Sequence, residues 1–135
     1  MINDEFHILI IDDDEINNFI AAKLIDKIPP KAKVSTRLNG QEGIDFIKSC
    51  INNEEKMPDI IFLDINMPVM NGWEFLEEYE TIKDQITKKV VINMLSSSVY
   101  NDDISKSQTF STVNRFISKP LTIEKIQDLY SSLGL

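Results

Sequence analysis

The sequence predicts an α/β domain built on a doubly wound, five-stranded parallel sheet with helices on both faces. Two observations predict it. Five apolar, β-branched runs recur at fairly even spacing, and segments with helical apolar periodicity fill the intervals between them. Right-handed crossovers then place the five helices on both sides of the sheet.

The first run is "HILII" at 7–11. With "DIIFL" at 59–63 and "VVINML" at 90–95 it is nearly continuous in apolar character, as strands covered on both faces should be. "AKVSTRL" at 32–38 and "VNRFI" at 113–117 complete the set. After the first run, Ile16, Phe19, Ile20, Leu24 and Ile28 form an apolar helical stripe, expected to face the core. Ile44, Ile47 and Ile51 form a second, and Gly72, Phe75, Leu76, Tyr79 and Ile82 a third. A fourth helix is expected within the short, Ser-rich segment 96–110, and Ile123, Ile126, Tyr130 and Leu133 mark the last. Asn39 with Glu42, and Asn71 with Glu74, have capping-box spacing, so helices are expected to start there.

At 135 residues the chain is expected to form one domain spanning 1–135, with no output domain. Fourteen basic residues stand against 22 acidic ones, a net charge of −8, which excludes phosphate-backbone binding to nucleic acid and docking on anionic membranes. The single Cys50 excludes an intrachain disulfide, and no apolar run approaches the length of a membrane span, so a cytoplasmic location is expected.

In an open α/β sheet, ligands bind outside the carboxyl ends of the strands, where strand order reverses. At those ends the first strand delivers Asp12, Asp13 and Asp14, the third Asp64, the fourth Ser96 and the fifth Lys119. In the order 2-1-3-4-5, strands 1 and 3 are neighbours and their aspartates converge. Carboxylates packed together must bind a proton or a cation. An all-oxygen set suits Mg²⁺, or Mn²⁺, and not Zn²⁺. Taken singly, each acid could be a helix cap or turn residue, Ser96 a turn residue, and Lys119 a solvated charge. Four strands ending in acid, acid, hydroxyl and ammonium are hard to obtain from turn chemistry alone.

With "ILIIDDDE", "FLDINMPVMNG", the hydroxyl of Ser96 and "SKP", the chain resembles the receiver domain of two-component response regulators along essentially its whole length. The resemblance implies that Asp64 accepts a phosphoryl group from a sensor histidine kinase or a histidine phosphotransfer protein. It implies that Asp13 binds Mg²⁺ directly, Asp12 through water, and the Asn66 backbone carbonyl as a further ligand. Lys119 and Ser96 would contact the phosphoryl oxygens, Phe116 would be the aromatic switch, and Lys119–Pro120 would be cis. The partner downstream would be a protein effector. Two other readings are a small Mg²⁺-dependent phosphatase or phosphotransferase with Asp64 as nucleophile, and a docking module that no longer accepts phosphate. Against the first, the haloacid-dehalogenase pattern needs an acid where Asn66 stands. Against the second, the set of acids, hydroxyl and lysine is complete. His7 opens the first strand, at the wrong end of the sheet for catalysis, and is expected to be structural.

Overall fold

The computed structural model describes residues 6–97, 105–106 and 109–135. The sheet has the order β2-β1-β3-β4-β5, all parallel, from β1 (Phe6–Ile11), β2 (Ala32–Arg37), β3 (Ile60–Asp64), β4 (Val91–Ser96) and β5 (Val113–Ser118). Each expected strand is present within a residue or so of its expected bounds. The helices are α1 (Glu15–Asp26), α2 (Gly40–Ser49), α3 (Gly72–Ile82) and α4 (Ile123–Ser132), with a short 3₁₀ turn at Lys83–Gln85. The helix expected within 96–110 lies largely outside the described residues.

Strand residues alternate between two cores. Leu9, Ile11, Ile61, Leu63, Ile92 and Met94 pack with α2 and α3, while Ile8, Ile10, Ile60, Phe62, Leu95 and Ile117 pack with α1 and α4. The α3 stripe is buried as expected from Gly72 to Ile82. The α1 stripe is buried only toward its end, where Leu24 packs half-buried against the core and Ile28 is buried. Ile16, Phe19 and Ile20 are 72%, 64% and 50% exposed, and the buried face is Asn18, Ala21, Ile25 and, beyond the helix, Ile28. The sheet dictates this outcome: small Ala21 and long Ile25 present the face that fits against it, and the wider apolar arc is left to solvent.

Caps set where the helices begin. Asn71 and Glu74 form the reciprocal box at 2.9 and 3.0 Å. Asn39 caps α2, but Glu42 reaches past it to the Leu38 amide, so only half of that box forms. At α1 the cap is Asp14, whose Oδ1 accepts from the Ile16 and Asn17 amides. Both Lys119–Pro120 and Pro29–Pro30 are cis; only the first was expected.

At the amino ends of the strands His7 closes a buried clasp. Its Nδ1 lies 2.9 Å from the Lys56 carbonyl and its Nε2 2.8 Å from the Ser35 hydroxyl. A carbonyl only accepts, so Nδ1 carries the proton and Nε2 accepts from Ser35. Burial lowers the His7 pKa from its ordinary 6.5 and the Lys33 and Lys88 charges add to this, against the Lys56 hydrogen bond and Asp59. A lowered folded value means that the stabilisation from neutral His7 is complete above about pH 6.5 and is lost as pH falls through the folded value. We therefore expect His7→Phe, which strands the Ser35 hydroxyl and leaves the Lys56 carbonyl only the weak Cys50 thiol, to cost about 1–3 kcal/mol at pH 7.5. Urea midpoints should show this wild-type advantage narrowing below pH 6.5.

Candidate functional site

The carboxyl ends of β1, β3, β4 and β5 meet as the sequence predicts. Asp12, Asp13 and Asp64 each offer a carboxylate oxygen, and these oxygens lie within 4.8 Å of one another. Asp12 and Asp64 are buried, as is Ser96, while Asp13 is exposed. The Lys119 ammonium sits 2.7 Å from Asp12 Oδ2 and 3.6 Å from Asp64 Oδ1. Asn66 lies exposed on the loop directly after β3, and Phe116 is half-buried on β5 beside Met94.

Lys119 reaches this position because the parallel β4–β5 pairing, with Ser118 opposite Ser96, runs on for one more rung. Its backbone amide donates to the Ser96 carbonyl at 2.7 Å. Lys125, one turn into α4, ties the same segment by donating to the Ser118 and Pro120 carbonyls and the Ser118 hydroxyl. Asp12 is held on every side: its amide donates to the Arg37 carbonyl, and its Oδ1 accepts from the Asp14 amide at 3.0 Å.

Burial, and then the Asp12 carboxylate, push the Asp64 carboxyl up from 3.8 to about 6; Lys119 pulls it down and Asp13 adds to the rise. Burial works to lower the Lys119 pKa, but the hydrogen bond and charge of Asp12, with Asp64 and Asp14, outweigh it and the net shift is upward. The crevice therefore holds more negative charge than one ammonium offsets. Its oxygen-only donors fit a hard divalent cation, and no sulfur or imidazole is part of the cluster.

The family resemblance implies that Pro68 and Gly72 shape the loop after β3; how they do so, and the turn at Val69, were not read from the sequence. Gly72 opens α3 directly on the backbone of Asp64: a Cβ there would lie 2.6 Å from the Asp64 carbonyl oxygen. Its amide donates to the Ile65 carbonyl at 2.8 Å. The helix start is thus pressed onto the strand end that carries the acid, a contact only glycine permits. Val69 has φ of 68°, and the Met70 amide closes onto the Pro68 carbonyl at 2.7 Å, a strained γ-turn. A β-branched residue rarely adopts that conformation, and this one is 78% exposed. "PVMN" carries no signal of it, because Gly or Asn is what a sequence reader looks for at such a turn.

Fold and site together define a doubly wound α/β protein with an acidic, cation-fitting crevice over its strand ends. Residues 8–131 match the family described as the response regulator receiver domain, and the chain belongs to it. It is 31% identical over 133 residues to hybrid signal transduction histidine kinase G of Dictyostelium discoideum, which is 96% of this chain and 4% of that protein. Over 126 residues it is 28% identical to two-component response regulator 24 of Arabidopsis thaliana, 93% of this chain and 82% of that one. The chain thus spans a small part of the hybrid kinase and most of the plant regulator. A two-component response regulator from Cytophaga hutchinsonii superposes with a TM-score of 0.86 at 29% identity, covering 98% of both chains. A receiver protein from Dyadobacter fermentans gives 0.80 at 28% identity, covering 94% of this chain and 96% of that one. Members of this family are regulatory phosphoacceptors that bind Mg²⁺ at an aspartate cluster and take phosphoryl groups from histidine kinases. As a receiver domain the chain has the build of a phosphoacceptor signalling switch, and the phosphatase reading is not favoured.

Because the folded Asp64 carboxyl titrates above its ordinary value, its favourable contribution is complete below about pH 3.8 and lost as pH rises through about 6. Metal-free Asp64→Asn is therefore expected to be more stable than wild type at pH 7.5, by up to about 3 kcal/mol for a rise from 3.8 to about 6. Denaturant titration should show the gap closing toward pH 4.

Proposed function

We propose that Asp64 is the phosphoacceptor and that Asp12, Asp13, Asp64 and the Asn66 carbonyl hold Mg²⁺. The observation that carries this reading is the convergence of three carboxylate oxygens within 4.8 Å, one of them on a carboxyl raised to about 6. Phosphoryl transfer asks the protein for an in-line nucleophile and for positive charge on the equatorial oxygens. The Asp64 carboxylate attacks phosphorus, the phosphorus–nitrogen bond of the donor phosphohistidine breaks, and its electron pair stays on the imidazole. Above pH 6 Asp64 is mainly ionised, as a nucleophile must be. Mg²⁺, when bound, supplies positive charge to the phosphoryl oxygens. Lys119 supplies more from the side of β5, and the Ser96 hydroxyl takes one of these oxygens as a hydrogen-bond acceptor. Beyond this the protein performs at most its own slow dephosphorylation.

The donor would be a sensor histidine kinase or a histidine phosphotransfer protein, and the target a protein effector in the cytoplasm. Exposed Ile16, Phe19 and Ile20 on the first two turns of α1, and exposed Val69 on the β3–α3 loop, give an apolar rim to the two segments that leave the acid-bearing strand ends. Such a rim suits a protein that brings a phosphohistidine to Asp64. The test is incubation with acetyl phosphate and Mg²⁺ followed by intact-mass spectrometry. Wild type should gain one phosphoryl group and Asp64→Asn none; an adduct on the mutant at wild-type yield would move the acceptor elsewhere.

Phe116 is the proposed reader. The segment before β5 is fastened to α3, since Phe110 stacks on Trp73 with centroids 6.3 Å apart and Thr112 donates to Glu80. Movement of Ser96 toward a phosphoryl group would open space for the Phe116 ring and reset this segment, because buried aromatic surface is worth about 25 cal/mol per Å². Beryllofluoride with Mg²⁺, a stand-in for the phosphoryl group, should shift backbone NMR resonances at Ser96 and across 113–118. A response confined to the β3–α3 loop would rule this route out.

A further inference from the structure

Asn18 lies on the core face of α1 and is only 4% exposed. Its Nδ2 donates to the Asp12 backbone carbonyl at 2.9 Å, and since a carbonyl only accepts, that contact settles which end of the amide is nitrogen. The Oδ1 is then buried with no partner among the described residues. A half-satisfied buried amide is a poor choice for stability, because an unpaired acceptor bears the whole cost of leaving water. Ala21, Ile25 and Ile28 on the same face are apolar. The amide therefore satisfies the Asp12 carbonyl at the cost of its own Oδ1, and fold stability alone is a weak reason for the asparagine.

What the amide does is hold one peptide plane. The Asp12 carbonyl belongs to the unit that joins Asp12 to Asp13, and that unit is rigid. Its orientation sets the direction in which Asp13 leaves the strand end. The other polar atoms of Asp12 are anchored by Arg37, Asp14 and Lys119. Asp13 is exposed, so its aim depends on the plane before it.

We propose that Asn18 is a positioning residue of the acidic crevice, fixing the Asp12–Asp13 peptide so that the Asp13 carboxylate points at Asp64. The inference rests on the reading of the crevice as a cation-dependent phosphoacceptor site. Groups that orient a metal ligand from behind are typically worth 10–100-fold in metal affinity.

The test is Asn18→Leu. Leucine is larger, but Asn18 borders a cavity of about 30 Å³ shared with Asp12, Lys119 and Pro120, which gives it room. Urea denaturation without metal should show a cooperatively folded variant with a midpoint near wild type, because stranding the Asp12 carbonyl and removing the unpaired Oδ1 oppose each other. A Mg²⁺ titration followed by Trp73 fluorescence should show about tenfold weaker binding. Ile25→Val in the same helix should do the reverse, lowering stability and leaving the Mg²⁺ midpoint unchanged. A wild-type Mg²⁺ curve for Asn18→Leu would overturn the proposal while leaving the site reading intact. Absence of Mg²⁺ binding by wild type would overturn both. If Asn18→Leu does not fold, the Asn18 side-chain amide of wild type decides. Slow hydrogen exchange and a resonance that moves with Mg²⁺ support the proposal; fast exchange with no response to Mg²⁺ overturns it.

Discussion

Two buried carboxylates, Asp12 and Asp64, share one ammonium, Lys119, at 2.7 and 3.6 Å. Like charges so placed cannot both remain bare at low dielectric, and a single lysine does not balance them once Asp13 joins the cluster. The rest of the molecule is arranged around that imbalance. Strand order makes β1 and β3 neighbours, which brings the acids together, and the last rung of the β4–β5 ladder, at Ser96, sets the lysine from which the ammonium reaches across β4. A strand end, unlike a loop, aims a carboxylate without the freedom to swing away. The unmet charge is what gives a cation, and a phosphoryl group with it, reason to bind.

Holding such a cluster requires close backbone contact around it. α3 starts on the Asp64 carbonyl through Gly72, and α2 starts on the loop after β3, where the Gly40 amide donates to the Met70 carbonyl at 2.9 Å. Either glycine given a Cβ would collide with a backbone oxygen at 2.6 Å. The β3–α3 loop is thus wedged between two helix starts, and the strained turn at Val69 sits at its tip. Strain of this kind persists only where the surroundings over-determine the backbone. At the opposite end of the sheet the His7 clasp joins β1, β2 and the segment before β3 without touching the chemistry. One end of the sheet is organised for stability and the other accepts instability for function.

Much of this was legible in the sequence, because its signals are local. Strands covered on both faces read as apolar runs, and a carboxylate, hydroxyl or lysine directly after such a run must emerge at the carboxyl edge. Asn71 and Glu74 announce their helix because both partners of the box lie within one turn. The site residues converge where the sequence places their strands, since in a doubly wound sheet the order of the strands leaves little freedom about which ends meet.

What only the tertiary structure decided depends on neighbours distant in the chain. Apolar periodicity showed that α1 is amphipathic, yet its buried face is the one holding Asn18, Ala21 and Ile25, because the shape of the sheet beneath it chooses the face. Of the aspartates after β1, Asp13 or Asp14 could cap the helix; the turn made Asp14 the cap, drew Asp12 inward to Lys119 and left Asp13 outside. The family resemblance implies that Gly72, with Pro68, shapes the loop after β3; that the Asp64 carbonyl lies against it is a tertiary contact. A sequence records what each residue can do within its own turn or strand, and close approach between segments far apart selects which of those possibilities is used.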